Sequence, residues 1–131
     1  MKKWKFLHTN RASAALAAAG VLTALLFGSV TAAHATPVSR ANAVRTARDY
    51  LRSQGFSFKG LVGQLKYEGY STGDARYGAS HAGANWMKQA VKAAKQYLQV
   101  SAFSRASMIE QLEYDGFTPP QARHGALAVG L

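Results

Sequence analysis

The sequence predicts an all-α fold: two tandem three-helix (helix-turn-helix) repeats behind an N-terminal signal peptide. Three observations predict it. The chain matches itself without a gap when Ala43–Ala84 is laid on Ala90–Leu131. Apolar residues in both copies recur at helical spacing and stop at glycine. No stretch keeps up the two-residue alternation of a half-buried strand.

The leader comes first. Met1 to Ser13 is basic without an acid, Ala14 to Ala33 is almost wholly apolar, and Ala33-His34-Ala35 places small residues where a signal peptidase reads. Residues 1–35 therefore read as a secretory signal peptide. The rival reading is a retained membrane anchor, because an apolar run of roughly 20 residues is long enough to span a bilayer. Both put the remainder outside the cytoplasm, at the cell surface or beyond it.

The first repeat, residues 39–84, opens with an amphipathic helix. Ala43, Val44, Ala47, Tyr50 and Leu51 fall on one face, and Arg45, Arg48, Asp49 and Arg52 on the other. Ser39 is its candidate cap and Gly55 its candidate stop. A second helix follows, capped by Ser57, with Leu61, Val62 and Leu65 on its apolar side and Gly69 as a left-handed terminator. The third begins at Ser71, with Asp74 placed to reach back to the cap, and carries Ala75, Ala79 and Ala82 for close packing.

The second repeat, residues 85–131, repeats the plan. Asn85 caps a helix with Ala90, Val91, Ala94, Tyr97 and Leu98 facing in and Lys88, Lys92 and Lys95 facing out. Ala102 stands in the place of Gly55. Ser104, then Met108, Ile109 and Leu112, then Gly116 rebuild the second helix; Thr118-Pro119-Pro120-Gln121 opens the third with proline at its first position. Matched pairs include Tyr50-Leu51 with Tyr97-Leu98, Phe56-Ser57 with Phe103-Ser104, Gln64-Leu65 with Gln111-Leu112, and Gly78-Ala79 with Gly125-Ala126. A unit of this size lies near the lower limit for folding alone. The two are expected to share apolar surface, with Trp86 at their junction as the shared residue.

Tyr-Leu, Phe-Ser, Gln-Leu, Tyr-Glu-Gly-Tyr-Ser and Ala-Arg-Tyr-Gly, followed by Asn-Trp and a second round, resemble the repeat of the Ltp-like family. Its members are host-cell-surface-exposed lipoproteins of Gram-positive bacteria and their phages. The resemblance runs from about Arg40 to the end. It implies tandem helix-turn-helix units displayed outside the membrane and, for phage-encoded members, superinfection exclusion, the blocking of a second phage's DNA. Family lipoproteins carry a lipidated cysteine; this sequence has none.

Without cysteine, disulfides and thiolate metal sites are ruled out. The formal charge is +10. Even without Lys2, Lys3, Lys5 and Arg11, twelve basic side chains face six acidic ones, which favours acidic partners. His81 and His124 do not match in the repeat and lack ligand partners at metal spacing. Glu68 and Asp115, equivalent acids before the turn glycines, read as solvated or bonded to turn amides rather than catalytic. No serine sits in a nucleophile-elbow context. No catalytic residue, metal or cofactor is expected.

The repeating aromatics Tyr50, Phe56, Tyr67, Tyr70, Trp86, Tyr97, Phe103, Tyr114 and Phe117 read as core. Phe58 and Tyr77 do not repeat, their counterparts being Arg105 and His124, and are expected at a surface peculiar to the first unit. The leading expectation is an exported, non-catalytic binding module whose partner is a protein at the cell envelope or a phage component. The second is binding of a polyanion, DNA or teichoic acid, through Arg45, Arg48, Arg52, Lys88, Lys92 and Lys95. A third is an accessory domain working on a larger enzyme. Membrane contact is expected only if the leader is kept.

Overall fold

The structure is a computed structural model that describes residues 36–131. The predicted leader and its cleavage site, with His34, lie outside the described residues. Six helices follow in order: α1 (Pro37–Ser53), α2 (Phe58–Tyr67), α3 (Thr72–His81), α4 (Trp86–Leu98), α5 (Arg105–Tyr114) and α6 (Pro119–Ala128). Among the described residues there is no strand. No helix among them is long and apolar enough to cross a membrane.

The helix ends obey the local chemistry of the sequence. Ser57 accepts a hydrogen bond from Gly60 N at 2.8 Å, Ser71 from Asp74 N at 3.1 Å, and Asn85 from Lys88 N at 3.0 Å. Each satisfies a backbone donor that the first helical turn leaves unpaired. α2 and α5 stop identically. Gly69 and Gly116 are left-handed at φ 95° and 94°. In α2, Tyr70 N reaches Leu65 O and Gly69 N reaches Lys66 O; in α5, Phe117 N reaches Leu112 O and Gly116 N reaches Glu113 O. This crossed pair is the Schellman closure, and it needs a residue that tolerates positive φ.

Three end assignments differ from expectation. Thr36, not Ser39, caps α1: its Oγ1 accepts from Ser39 N at 3.1 Å, and Pro37 takes the position where a missing N–H costs nothing. Ser39 is thereby freed to bond elsewhere. Asp74 does not reach back to its cap as Gln121 does to Thr118 N (2.9 Å). Instead it accepts a 2.5 Å bond from Ser39 Oγ, with Arg40 Nε at 3.7 Å, and so ties the start of α1 to the start of α3. Gly55 does not terminate α1 either. The helix ends at Gln54, which is extended (φ −151°, ψ 164°), and Gly55 serves the contact between repeats described below.

Within each repeat the third helix is the middle member, packed against both the first and the second. The first and third helices approach each other closely at one small pair. A Cβ on Gly78 would lie 2.8 Å from the Ala43 carbonyl, and one on Gly125 would lie 2.9 Å from Ala90 O. These positions are repeat equivalents, so the duplicated Gly-Ala dipeptide is a packing requirement. Around the contact, Ala43, Ala47, Leu51, Leu61, Leu65, Ala75 and Ala79 form the first core. Ala90, Ala94, Met108, Leu112, Ala122 and Ala126 are buried in the second. Each fully buried leucine contributes about 2 kcal/mol of apolar burial. Two expected core aromatics lie outside: Tyr67 is 58% and Tyr114 70% exposed. They follow their apolar neighbours Leu65 and Leu112 by two residues, which on a helix is the opposite side.

Candidate interaction surface

Each repeat carries the same polar knot between its first two helices. In the first, Tyr50 donates its hydroxyl hydrogen to Glu68 Oε1, and Gln64 Nε2 donates to the same hydroxyl at 3.1 Å. In the second, Tyr97 donates to Asp115 Oδ2 at 2.6 Å, while Gln111 Nε2 donates to Tyr97 Oη at 3.1 Å and to Asp115 Oδ1 at 3.1 Å. An edge-on phenylalanine lies 5.6 Å from each tyrosine ring, Phe56 in one and Phe103 in the other. Burial, and then the bond to Glu68, raise the Tyr50 hydroxyl from 10.0 to about 12. The two equivalent acids therefore each accept a bond from a tyrosine. The signal was present in the duplicated Gln64/Gln111 and Glu68/Asp115, which no apolar periodicity explains.

The repeats meet along a polar seam. Three side chains of α4 serve the end of α1. Lys92 Nζ donates to Leu51 O and Arg52 O, both at 2.7 Å. Gln96 Oε1 accepts from Gly55 N at 3.0 Å, and Gln89 Oε1 accepts from Phe56 N at 3.2 Å. A helix end holds unpaired carbonyls with a partial negative charge, so an ammonium there is doubly favoured. Farther along, the buried Ser57 hydroxyl donates to Asp115 O at 2.5 Å. The N-cap of α2 thus holds the C-cap of α5. Gly55 permits the approach: a Cβ on it would lie 2.4 Å from Ala93 N and 2.7 Å from Gln89 O.

Trp86, the first residue of α4, packs against the core of the first repeat. Its ring meets Phe58 edge-on at 5.6 Å. Phe58 is consequently half-buried rather than exposed. Tyr77 is half-buried too: His81 stacks on it at 3.8 Å, and the Arg40 guanidinium lies 5.0 Å from its ring centre. Phe58 is partly covered at the junction, whereas Tyr77 lines an open cleft of about 520 Å³ with Pro37, Arg40, Ala41, Val44 and Arg48.

The six cations expected on one basic face separate into different settings. Lys92 was expected to face out and instead faces the seam. Arg48, Arg52 and Lys88 are exposed and line one open cleft, about 500 Å³, between α1 and the 82–85 connection. Arg52 also pairs with Asp49 at 3.1 Å across one helical turn. Lys95 lines a separate cleft in the second repeat with Leu98, Gln99, Ala128 and Val129. Arg45 is exposed and lines neither. Among the described residues no group of three or more His, Asp or Glu side chains could hold a metal ion.

With this geometry in view, comparison with known proteins is direct. The family model described as host cell surface-exposed lipoprotein matches residues 39–81 and 85–126, once on each repeat. Among solved structures, the chain is similar to Ltp, a superinfection exclusion protein from the Streptococcus thermophilus temperate phage TP-J34. The TM-score is 0.66 at 28% identity, over 74% of this chain and 99% of that one. A search of curated proteins finds no match. Two matched repeats, each folded as a helix-turn-helix unit with its own tyrosine knot, place this chain in the Ltp family of host cell surface-exposed lipoproteins.

Proposed function

We propose that this protein is an exported, non-catalytic binding module of the cell envelope that excludes superinfecting phage through protein contacts. The observation that supports it most is the likeness to the phage TP-J34 exclusion protein, which spans both repeats and nearly the whole of that chain. The basic, apolar and A-x-A segments of residues 1–35 supply export. With no cysteine in the sequence, attachment by a thioether lipid is replaced by release or by retention of the leader. The polar groups inside each repeat are spent on holding helices together, which suits a rigid scaffold whose outer faces do the recognition.

The test is expression in a Gram-positive host challenged with a phage panel. Phage adsorption is expected to stay unchanged while delivery of phage DNA into the cytoplasm falls. Unchanged delivery across the panel refutes the reading. Crosslinking on intact cells then identifies the protein touched.

A further inference from the structure

Two clefts of this molecule are repeat equivalents, and they differ in charge. Arg48, Leu51, Arg52 and Ala82 of the first correspond to Lys95, Leu98, Gln99 and Val129 of the second. The duplication thus built one groove twice, between the C-terminal half of a repeat's first helix and the end of its third. In the second repeat a single cation remains beside apolar residues. In the first, Arg52 stands where the copy has glutamine, and the chain leading into α4 adds Lys88.

Arg48, Arg52 and Lys88 therefore converge on one open space that no carboxylate lines. Asp49 pairs with Arg52 from the exposed helix face, outside the lining. Three like charges around one groove raise the energy of the empty molecule, and a bound anion relieves it. Arginine guanidinium forks suit phosphate oxygens in particular. No aromatic ring lines the groove, so it offers a base no aromatic platform.

We infer that the Arg48–Arg52–Lys88 cleft of the first repeat binds the phosphodiester backbone of an acidic polymer, reading phosphates and not what they link. The inference is independent of the exclusion reading, since it concerns a polymer rather than a protein partner. It also narrows the broad basic face: Lys92 is committed to helix carbonyls, and Lys95 lies in the other groove.

The test titrates the full chain with two probes matched in phosphate number, a single-stranded oligonucleotide and a poly(glycerol phosphate), over a range of salt. Both are expected to bind comparably. The log–log salt slope should approach about −2, near −0.7 for each of three cations. Arg52→Gln, which installs the second repeat's residue, should remove about one third of that slope. Lys95→Gln should leave slope and affinity unchanged. Circular dichroism confirms that these surface variants fold. Absence of binding to either probe at low salt overturns the proposal. So does binding of the oligonucleotide alone, which means base recognition, or an equal loss from Lys95→Gln and Arg52→Gln, which means a diffuse basic surface.

Discussion

The same edge occurs twice in this molecule, once buried and once bare. In the first repeat, the end of α1 and the loop to α2 are covered: Lys92, Gln89 and Gln96 bond their backbone, and Ser57 reaches Asp115. In the second repeat the equivalent stretch, 98–104, lies at the surface. Val100 is 59% exposed, and Ser104 bonds only within its own turn, to Ser107. Gly55 is Ala102 there. The internal secondary structure of the two repeats is nearly identical, so the divergence follows the contact and not the fold.

The largest expected effect comes from putting the second repeat's residue into the first. Gly55→Ala drives a methyl against the α4 backbone, which cannot swing aside as a side chain can. A loss of about 3 kcal/mol follows from overpacking of this kind, read as a fall of roughly 15 °C in Tm for a domain of this size. Ala102→Gly, at an exposed site, should change stability by less than about 1 kcal/mol. Similar costs for both would show that the seam is not set by this close approach.

Much of this was legible beforehand, and the reasons for the rest are physical. Duplication, helix number, Ser57, Ser71, Asn85 and Ser104 as caps, and the turns at Gly69 and Gly116 all rest on local chemistry. A local rule needs only neighbours in sequence. The seam was not legible, because Lys92 and Gln96 look like solvent-facing residues of an amphipathic helix until α1 is seen ending beside them. Gly55 misled for a related reason: a glycine after a helix usually supplies positive φ, and here it supplies space. Of the basic candidates, charge gave the type but not the grouping. Arg48 and Arg52 meet Lys88 only because the 82–85 connection folds back along α1.

A smaller contrast separates the two N-cap serines. Ser57 is buried and serves both Gly60 N and Asp115 O, so Ser57→Ala leaves a cap unfilled and a seam carbonyl without its donor. A cost of about 2 kcal/mol is expected. Ser104 caps an exposed turn beside Ser107, and Ser104→Ala should cost about 1 kcal/mol or less. Urea denaturation of the two variants measures the difference directly. Equal costs would mean that the bond to Asp115 O contributes nothing to joining the repeats.

The smallest effect is one of pH, and it isolates the first repeat's knot. Tyr50 is held neutral up to about 12 by burial and by its bond to Glu68, whereas an unfolded tyrosine ionises near 10. Above pH 10 the unfolded chain releases this proton while the folded chain keeps it, so the unfolded state binds fewer protons and stability falls as pH rises. The contribution is complete below pH 10 and is lost between 10 and about 12. Tyr50→Phe removes the ionisable group and should lose less stability over that interval than the parent, although it starts lower at neutral pH for want of the Glu68 and Gln64 bonds. Thermal melts at matched ionic strength, from pH 9 to pH 12, read both effects. Parallel curves for parent and variant would mean that Tyr50 ionises as freely as in the unfolded chain, and that the knot does not hold its hydroxyl hydrogen against Glu68.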